Sequence, residues 1–304
     1  MGSQHRLKKA PTGWLESDML AEKVVARDAR DDHLRTGGRM QVEANGIRIN
    51  YEIDGRAGAP WVTFITGIAN DTTMWEGQLP ELEMDFHILR IDSRGHGGSE
   101  ATEGDYDFDM LIGDVLGVWD ALDIQKTHLV GLGLGGSTSI GIGIRHSDRL
   151  LSLVPTACRA IMTPDLASRW PGLVTAAKEG GMAAVAETTV QRWFTEQFKI
   201  ANPGMLESVR NQIRGTDPNG YFGCIAAFMS LDFTREGVEN ISVPTQFISG
   251  ADDHSGGPSE IMQTLADTVP GAVHTAVPHA AHICNIQNPP GYNQVLGKFL
   301  RSQK

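Results

Sequence analysis

The chain has 304 residues, 40% hydrophobic and 21% charged, which suffices for one large domain or two modest ones with a sizeable buried core. A net charge of −11 argues for a soluble acidic protein and against nucleic acid or an anionic membrane as partner. The three cysteines, Cys158, Cys224 and Cys284, are scattered, which gives neither a disulfide framework nor metal-ligand spacing. No apolar run follows the basic start, and no stretch approaches the ~20 apolar residues that span a membrane. The expectation is a cytoplasmic protein with free thiols, no cofactor and a small-molecule substrate.

Residues 1–39 are polar, with Trp14, Leu15, Met19, Leu20, Val24 and Val25 spaced as on a weakly amphipathic helix. Such an arm lies on its own domain or on a second copy, which would make a homodimer. Next, two alternating runs, Met40–Ala44 and Ile47–Ile53, flank Asn45-Gly46, a strong hairpin signal. Strands and helices then alternate. Strands are expected at Trp61–Thr66, His87–Ile91, Thr127–Gly131, Leu150–Pro155, Val243–Ser249 and Ala272–Val277. Helices are expected around Met74–Leu82, Asp109–Leu122, Gly133–Ile144, Ile261–Val269 and Gly291–Leu300. This alternation predicts an α/β fold, a mostly parallel sheet of eight strands with helices on both faces. Between residues 160 and 240 the strand pattern stops, and a run of helices rich in Trp and Phe predicts a helical cap. The core would then be residues 40–159 and 241–304.

Chemistry concentrates in three loops. Gly131-Leu-Gly-Leu-Gly-Gly136 joins a strand directly to a helix. Its G-x-G-x-x-G spacing also fits a dinucleotide loop, but the unit follows an antiparallel hairpin and lacks an acidic residue about 20 positions on. Ser249-Gly-Ala-Asp-Asp-His254 follows an apolar strand, and spacing from Gly250 favours Asp253 over Asp252. Pro278-His-Ala-Ala-His-Ile-Cys-Asn285 follows the last strand. An acid and then a histidine after a glycine-spaced turn is the order of an acid-oriented imidazole base in this topology.

These segments, with Arg90-Ile-Asp-Ser-Arg-Gly-His-Gly-Gly-Ser99, resemble the α/β-hydrolase family. Within it, Asp71 with Met74-Trp75, Gln191-Arg-Trp-Phe194, Thr216-Asp-Pro-Asn-Gly-Tyr221 and Ala280-Ala-His-Ile-Cys-Asn285 are similar to the 3-oxoadipate enol-lactonase branch. The resemblance runs from about residue 40 to the end. It implies a nucleophile elbow in which Gly133 stands at the serine position between Gly131 and Gly135. It also implies an Asp253–His282 pair, an oxyanion hole from the backbone N–H groups of Leu134 and Ile68, and substrate contacts at Gly67 and Trp193. Trp193 reads equally well as a core residue, and Thr66-Gly67 stands where many relatives have His-Gly. His279 and His254 read as solvated loop residues, and Arg94 and His96 as structural ones. Ser137 lies too deep, one helical turn past Gly133, to replace the missing hydroxyl, and Cys158 is a weak substitute.

Without a serine, covalent acyl transfer is lost while the general base and the oxyanion hole remain. The leading expectation is hydrolysis of a small lactone, ester or keto-acid-type substrate by activated water. Enolate chemistry is the alternative, as in a lyase, decarboxylase, cyclase, isomerase or cofactor-free oxygenase. A ligand-binding protein without turnover, or a serine hydrolase disarmed by substitution at residue 133, are the others.

Overall fold

Asn45 and Gly46 both adopt positive φ, 50° and 79°, and close a two-residue turn between β1 (Met40–Ala44) and β2 (Ile47–Gly55). Both central residues of such a turn need the left-handed region, which asparagine and glycine enter at least cost. The computed structural model describes residues 38–303. The expected N-terminal arm, and the homodimer contact assigned to it, lie outside the described residues.

Six further strands complete one sheet. They are β3 (Trp61–Ile65), β4 (His87–Ile91), β5 (Thr127–Leu132), β6 (Leu150–Thr156), β7 (Gln246–Gly250) and β8 (Val273–Val277). The order is β1-β2-β4-β3-β5-β6-β7-β8. β2 runs antiparallel to β1 and β4, and every other pair is parallel. All six residues of β5 are buried, the mark of a strand covered on both faces. The ladder between β6 and β7 is thin: a single registered pair, Thr156 with Ile248, and an isolated bridge from Leu153 to Thr245.

The longer helices are α1 (Phe108–Ala121), α2 (Leu134–Arg145), α3 (Trp170–Trp193), α4 (Pro203–Gly215), α5 (Pro218–Met229), α6 (Ser259–Thr268) and α7 (Pro289–Ser302). The segment between β6 and β7 holds helices and turns with one isolated bridge, Ile161 to Asp232, and adds no strand to the sheet. There α3 packs on α4 and α5. The core centres on fully buried Phe64, Trp75, Trp119, Phe247 and Tyr292.

Most boundaries shift by one or two residues, and two elements depart further from the sequence pattern. The stretch expected as a helix around Met74–Leu82 is a 3-10 segment, Thr72–Gln78, followed by one α turn, Leu79–Leu82. Pro80 lacks the N–H that would continue the first segment. β7 begins at Gln246 rather than Val243 because Pro244 cannot donate to a ladder; its carbonyl instead accepts from the Leu153 N–H.

Candidate active site

Five loops, each leaving the C-terminal end of a parallel strand, converge on one cleft. They follow β3, β5, β6, β7 and β8, the edge at which open α/β sheets bind ligands. After β5 the chain turns sharply through Gly133, with φ 57° and ψ −112°, into α2. The turn is possible because its flanks are bare. A β-carbon on Gly131 would lie 2.2 Å from the Gly135 carbonyl oxygen, and one on Gly135 would lie 2.6 Å from that of Ile65. The Gly133 N–H is held by the Thr156 carbonyl of β6 at 3.0 Å.

Asp253 is buried after β7, and its carboxylate collects donors. It accepts from the N–H groups of Ser255 (2.7 Å), Gly256 (3.2 Å) and Gly257 (2.9 Å) and from the Ser255 hydroxyl at 2.9 Å. His282, on the loop after β8, places Nδ1 3.0 Å from Asp253 Oδ2. Burial pushes the Asp253 carboxyl up, but the facing imidazole and the Ser255 and Gly257 N–H groups outweigh it. They hold the carboxyl well below the usual carboxylate range. An ionised Asp253 fixes the proton on Nδ1 and leaves Nε2 as the basic nitrogen. That nitrogen faces Gly133: a β-carbon built there would sit 3.6 Å from Nε2.

The cleft, ≈ 730 Å³ and open to solvent, is lined around this point by Gly67, Ile68, Leu134, Trp193 and His282. Its walls are mostly apolar, with two cations, Arg159 and Arg192, in the lining. Neither forms an ion pair with a carboxylate among the described residues; Arg159 Nε donates to the Gly256 carbonyl at 2.7 Å. Burial lowers the Arg159 pKa, with Arg169 adding to the effect.

Residues 60–289 match the sequence model of the α/β hydrolase fold. The chain belongs to the α/β-hydrolase fold family. It is 29% identical over 269 residues to 3-oxoadipate enol-lactonase 1 of Acinetobacter baylyi, covering 86% of this chain and 97% of that one. The crystal structure of the enol-lactonase from Burkholderia xenovorans LB400 superposes with a TM-score of 0.82 at 32% identity, covering 86% and 100% of the two chains. A hydrolase from Pseudomonas aeruginosa PA01 gives 0.81 at 28%, covering 87% and 99%.

Within this α/β-hydrolase frame, the residues singled out from sequence fall as follows. Asp253, His282, Gly133, Leu134, Ile68, Gly67 and Trp193 meet at the cleft or directly behind it. Trp193 is both buried and cleft-lining, its ring centroid 6.0 Å from that of His282. Asp252, His254 and His279 are exposed. Arg94 pairs with buried Asp114, and His96 Nδ1 donates to the Arg94 carbonyl, so both serve the turn after β4. Ser137 is spent on the Arg159 carbonyl at 2.8 Å. Cys158 lines the cleft, but burial pushes its thiol far up, which leaves a poor nucleophile.

Sequence reasoning missed Arg159, Arg192 and Asn70. Asn70 braces the loop that carries Gly67 and Ile68: its N–H bonds the Gly67 carbonyl at 3.3 Å and its side chain donates to Gln212 of α4 at 3.2 Å. Arg192 lay inside a segment noted only for its resemblance. Arg159 stands next to Cys158, and its signal is a lone cation three residues past the end of β6. Among the described residues no cluster of side chains fits a metal ion, and no helix is long and apolar enough to cross a membrane.

Proposed function

We propose that this protein hydrolyses a small, carboxylate-bearing lactone or ester with an activated water molecule and without an acyl-enzyme. The observation that carries the reading is the bare Cα of Gly133. The point where a β-carbon would sit faces His282 Nε2, and apart from that ring no non-neighbouring atom comes within 4 Å. A serine would fill this space. A water molecule there donates one hydrogen to Nε2, while Asp253 keeps the imidazole oriented.

The water oxygen bonds to the substrate carbonyl carbon as its proton passes to Nε2. The carbonyl oxygen takes the negative charge and meets the backbone N–H groups of Ile68 and Leu134, which form no hydrogen bonds with other described residues. Collapse breaks the bond to the ester or ring oxygen, and that oxygen takes the proton back from Nε2. A general base of this kind contributes roughly 10²–10⁴-fold, well short of a full triad but enough for an activated ester. Arg159 and Arg192 recognise the carboxylate, since the chain's overall negative charge otherwise disfavours an acid. The similarity to enol-lactonases supports this substrate class.

The test compares the parent, His282→Ala and Gly133→Ser on enol-lactones and simple esters, with intact-mass analysis during turnover. The expected result is hydrolysis by the parent, a loss of about 10²-fold or more in His282→Ala, and no adduct. Gly133→Ser should bring no gain, because its hydroxyl competes with water for Nε2. A gain of several powers of ten on the same substrates would overturn the reading in favour of an ordinary serine mechanism. Parent turnover to a product other than the acid would replace it with enolate chemistry.

A further inference from the structure

An imidazole bonded at one nitrogen alone can pivot about that bond. In a serine triad the hydroxyl on Nε2 supplies the second restraint. Here His282 has its Nδ1 bond to Asp253, and Gly133 offers nothing to Nε2. The second restraint has to come from elsewhere if the base is to be held to the fraction of an ångström that proton transfer demands.

Gly256 lies against the ring. A β-carbon on Gly256 would fall 2.0 Å from His282 Cε1, 2.6 Å from Nδ1 and 2.9 Å from Nε2, so the bare Cα sits over the Cε1 corner. The reason for glycine here is room and not backbone conformation, since its φ lies outside the left-handed region. Both peptide groups of Gly256 are pinned. Its N–H donates to Asp253 Oδ1 at 3.2 Å, and its carbonyl accepts from Arg159 Nε at 2.7 Å. Arg159 is fixed in turn, because its own carbonyl accepts from the Ser137 hydroxyl of α2.

We propose that Gly256 is the stop that fixes the His282 imidazole in place of the absent serine hydroxyl, and that Arg159 is the positioning residue that holds the stop. The proposal rests on His282 being the general base. It gives Arg159 a second task beside anion recognition. Its Nε anchors the loop after β7, and Arg159 also lines the cleft. A substrate carboxylate bound by Arg159 therefore bears on the same group that sets the ring.

The experiment uses the full chain with histidines labelled at Cε1, the His282 resonance being assigned with His282→Ala. In the parent this resonance should stand apart from those of exposed His254 and His279, because the ring is fixed beside Trp193. Gly256→Ala forces an atom into the ring's place, and Arg159→Met removes the anchor without adding one. Both should move or broaden the His282 signal, while Gly172→Ala, where nothing lies within 4 Å, should not. On the neutral ester p-nitrophenyl acetate, both variants should lower kcat, by about 100-fold for Gly256→Ala, with KM within about twofold of the parent. An unchanged His282 signal in both variants overturns the proposal, as does an Arg159→Met defect confined to KM for carboxylate substrates. The resonance is read without substrate, so it can fail while His282-dependent turnover stands, and hold where turnover is never found.

Discussion

His96 and Asp92 lie in the same turn and respond to pH in opposite senses. Burial brings the His96 pKa down to about 4, and its Nε2 has no partner among the described residues. The unfolded imidazole titrates near ~6.5. The folded state therefore binds this proton less readily, and stability is full above the unfolded value and lost as pH falls toward 4. Asp92 is raised to about 6, chiefly by burial, so its ionisation opposes folding and its protonation favours it as pH falls through the same window. The two largely offset each other. Removing one exposes the other: His96→Asn, which keeps a donor for the Arg94 carbonyl, should gain stability relative to the parent by about 2 kcal/mol between pH 7 and about pH 4.5. Urea unfolding at both values measures this, and an equal difference at the two would refute it. Arg192 makes a separate forecast. Arg192→Met should raise KM for a carboxylate-bearing lactone about tenfold or more with kcat little changed, because among the described residues Arg192, unlike Arg159, makes no side-chain hydrogen bond to the loops that hold the ring. A fall in kcat alone would contradict that division of labour.

Helix α3 bends at Gly181, where φ 66° and ψ −171° place the backbone in a region open essentially to glycine. Nothing lies within 4 Å of a β-carbon there, so space is not the constraint. Gly181→Ala should cost about 1–3 kcal/mol through backbone strain alone. Gly172→Ala, in the same helix with ordinary φ, should instead stabilise by about 0.5 kcal/mol through the unfolded state. Denaturant unfolding of the pair separates the two effects, and equal outcomes would show that the bend relaxes. The elements themselves were largely readable. Asn45-Gly46 named its turn, and β3 and β5 were marked by mostly apolar runs, Trp61–Ile65 and Leu129–Leu132, because strands covered on both faces carry little polar alternation. The misplaced start of β7 and the 3-10 segment at Thr72 trace to single prolines acting against an apolar pattern. The order of acid and histidine after a glycine-spaced turn pointed to Asp253 and His282, which the structure brings to 3.0 Å, since topology fixes that order. Arg159, Gly256 and Asn70 were not readable. Their parts depend on contacts between loops far apart in sequence, and no local pattern records which backbone a side chain will meet.

At the scale of the whole molecule, the thin ladder between β6 and β7 is a seam in the sheet that ends at the cleft. Gly133, Leu134 and Ile68 belong to the side built on β3 and β5, whereas Asp253 and His282 belong to the side built on β7 and β8. Within the sheet few backbone bonds span the line, Leu153 N–H to the Pro244 carbonyl at 3.0 Å and Ala157 N–H to that of Ile248 at 2.8 Å; outside the sheet it is bridged by Arg159 to Gly256, Thr156 to Tyr292, Asn285 to Met74 and Gln78, and Arg301 to Glu81 and Asp85. His282 and the bare Cα it faces thus sit on opposite sides of this seam in the sheet. Local opening follows the weakest cooperative boundary, so the amides of Leu153 and Ala157 should exchange with deuterium faster than those shared by β5 with β6 or β7 with β8. Cutting the Arg159 strap with methionine should quicken them further, and uniform protection across the sheet would mean that the seam is rigid. If it opens as described, the two halves of the site breathe together, and the width of the reaction space is an elastic property of the sheet.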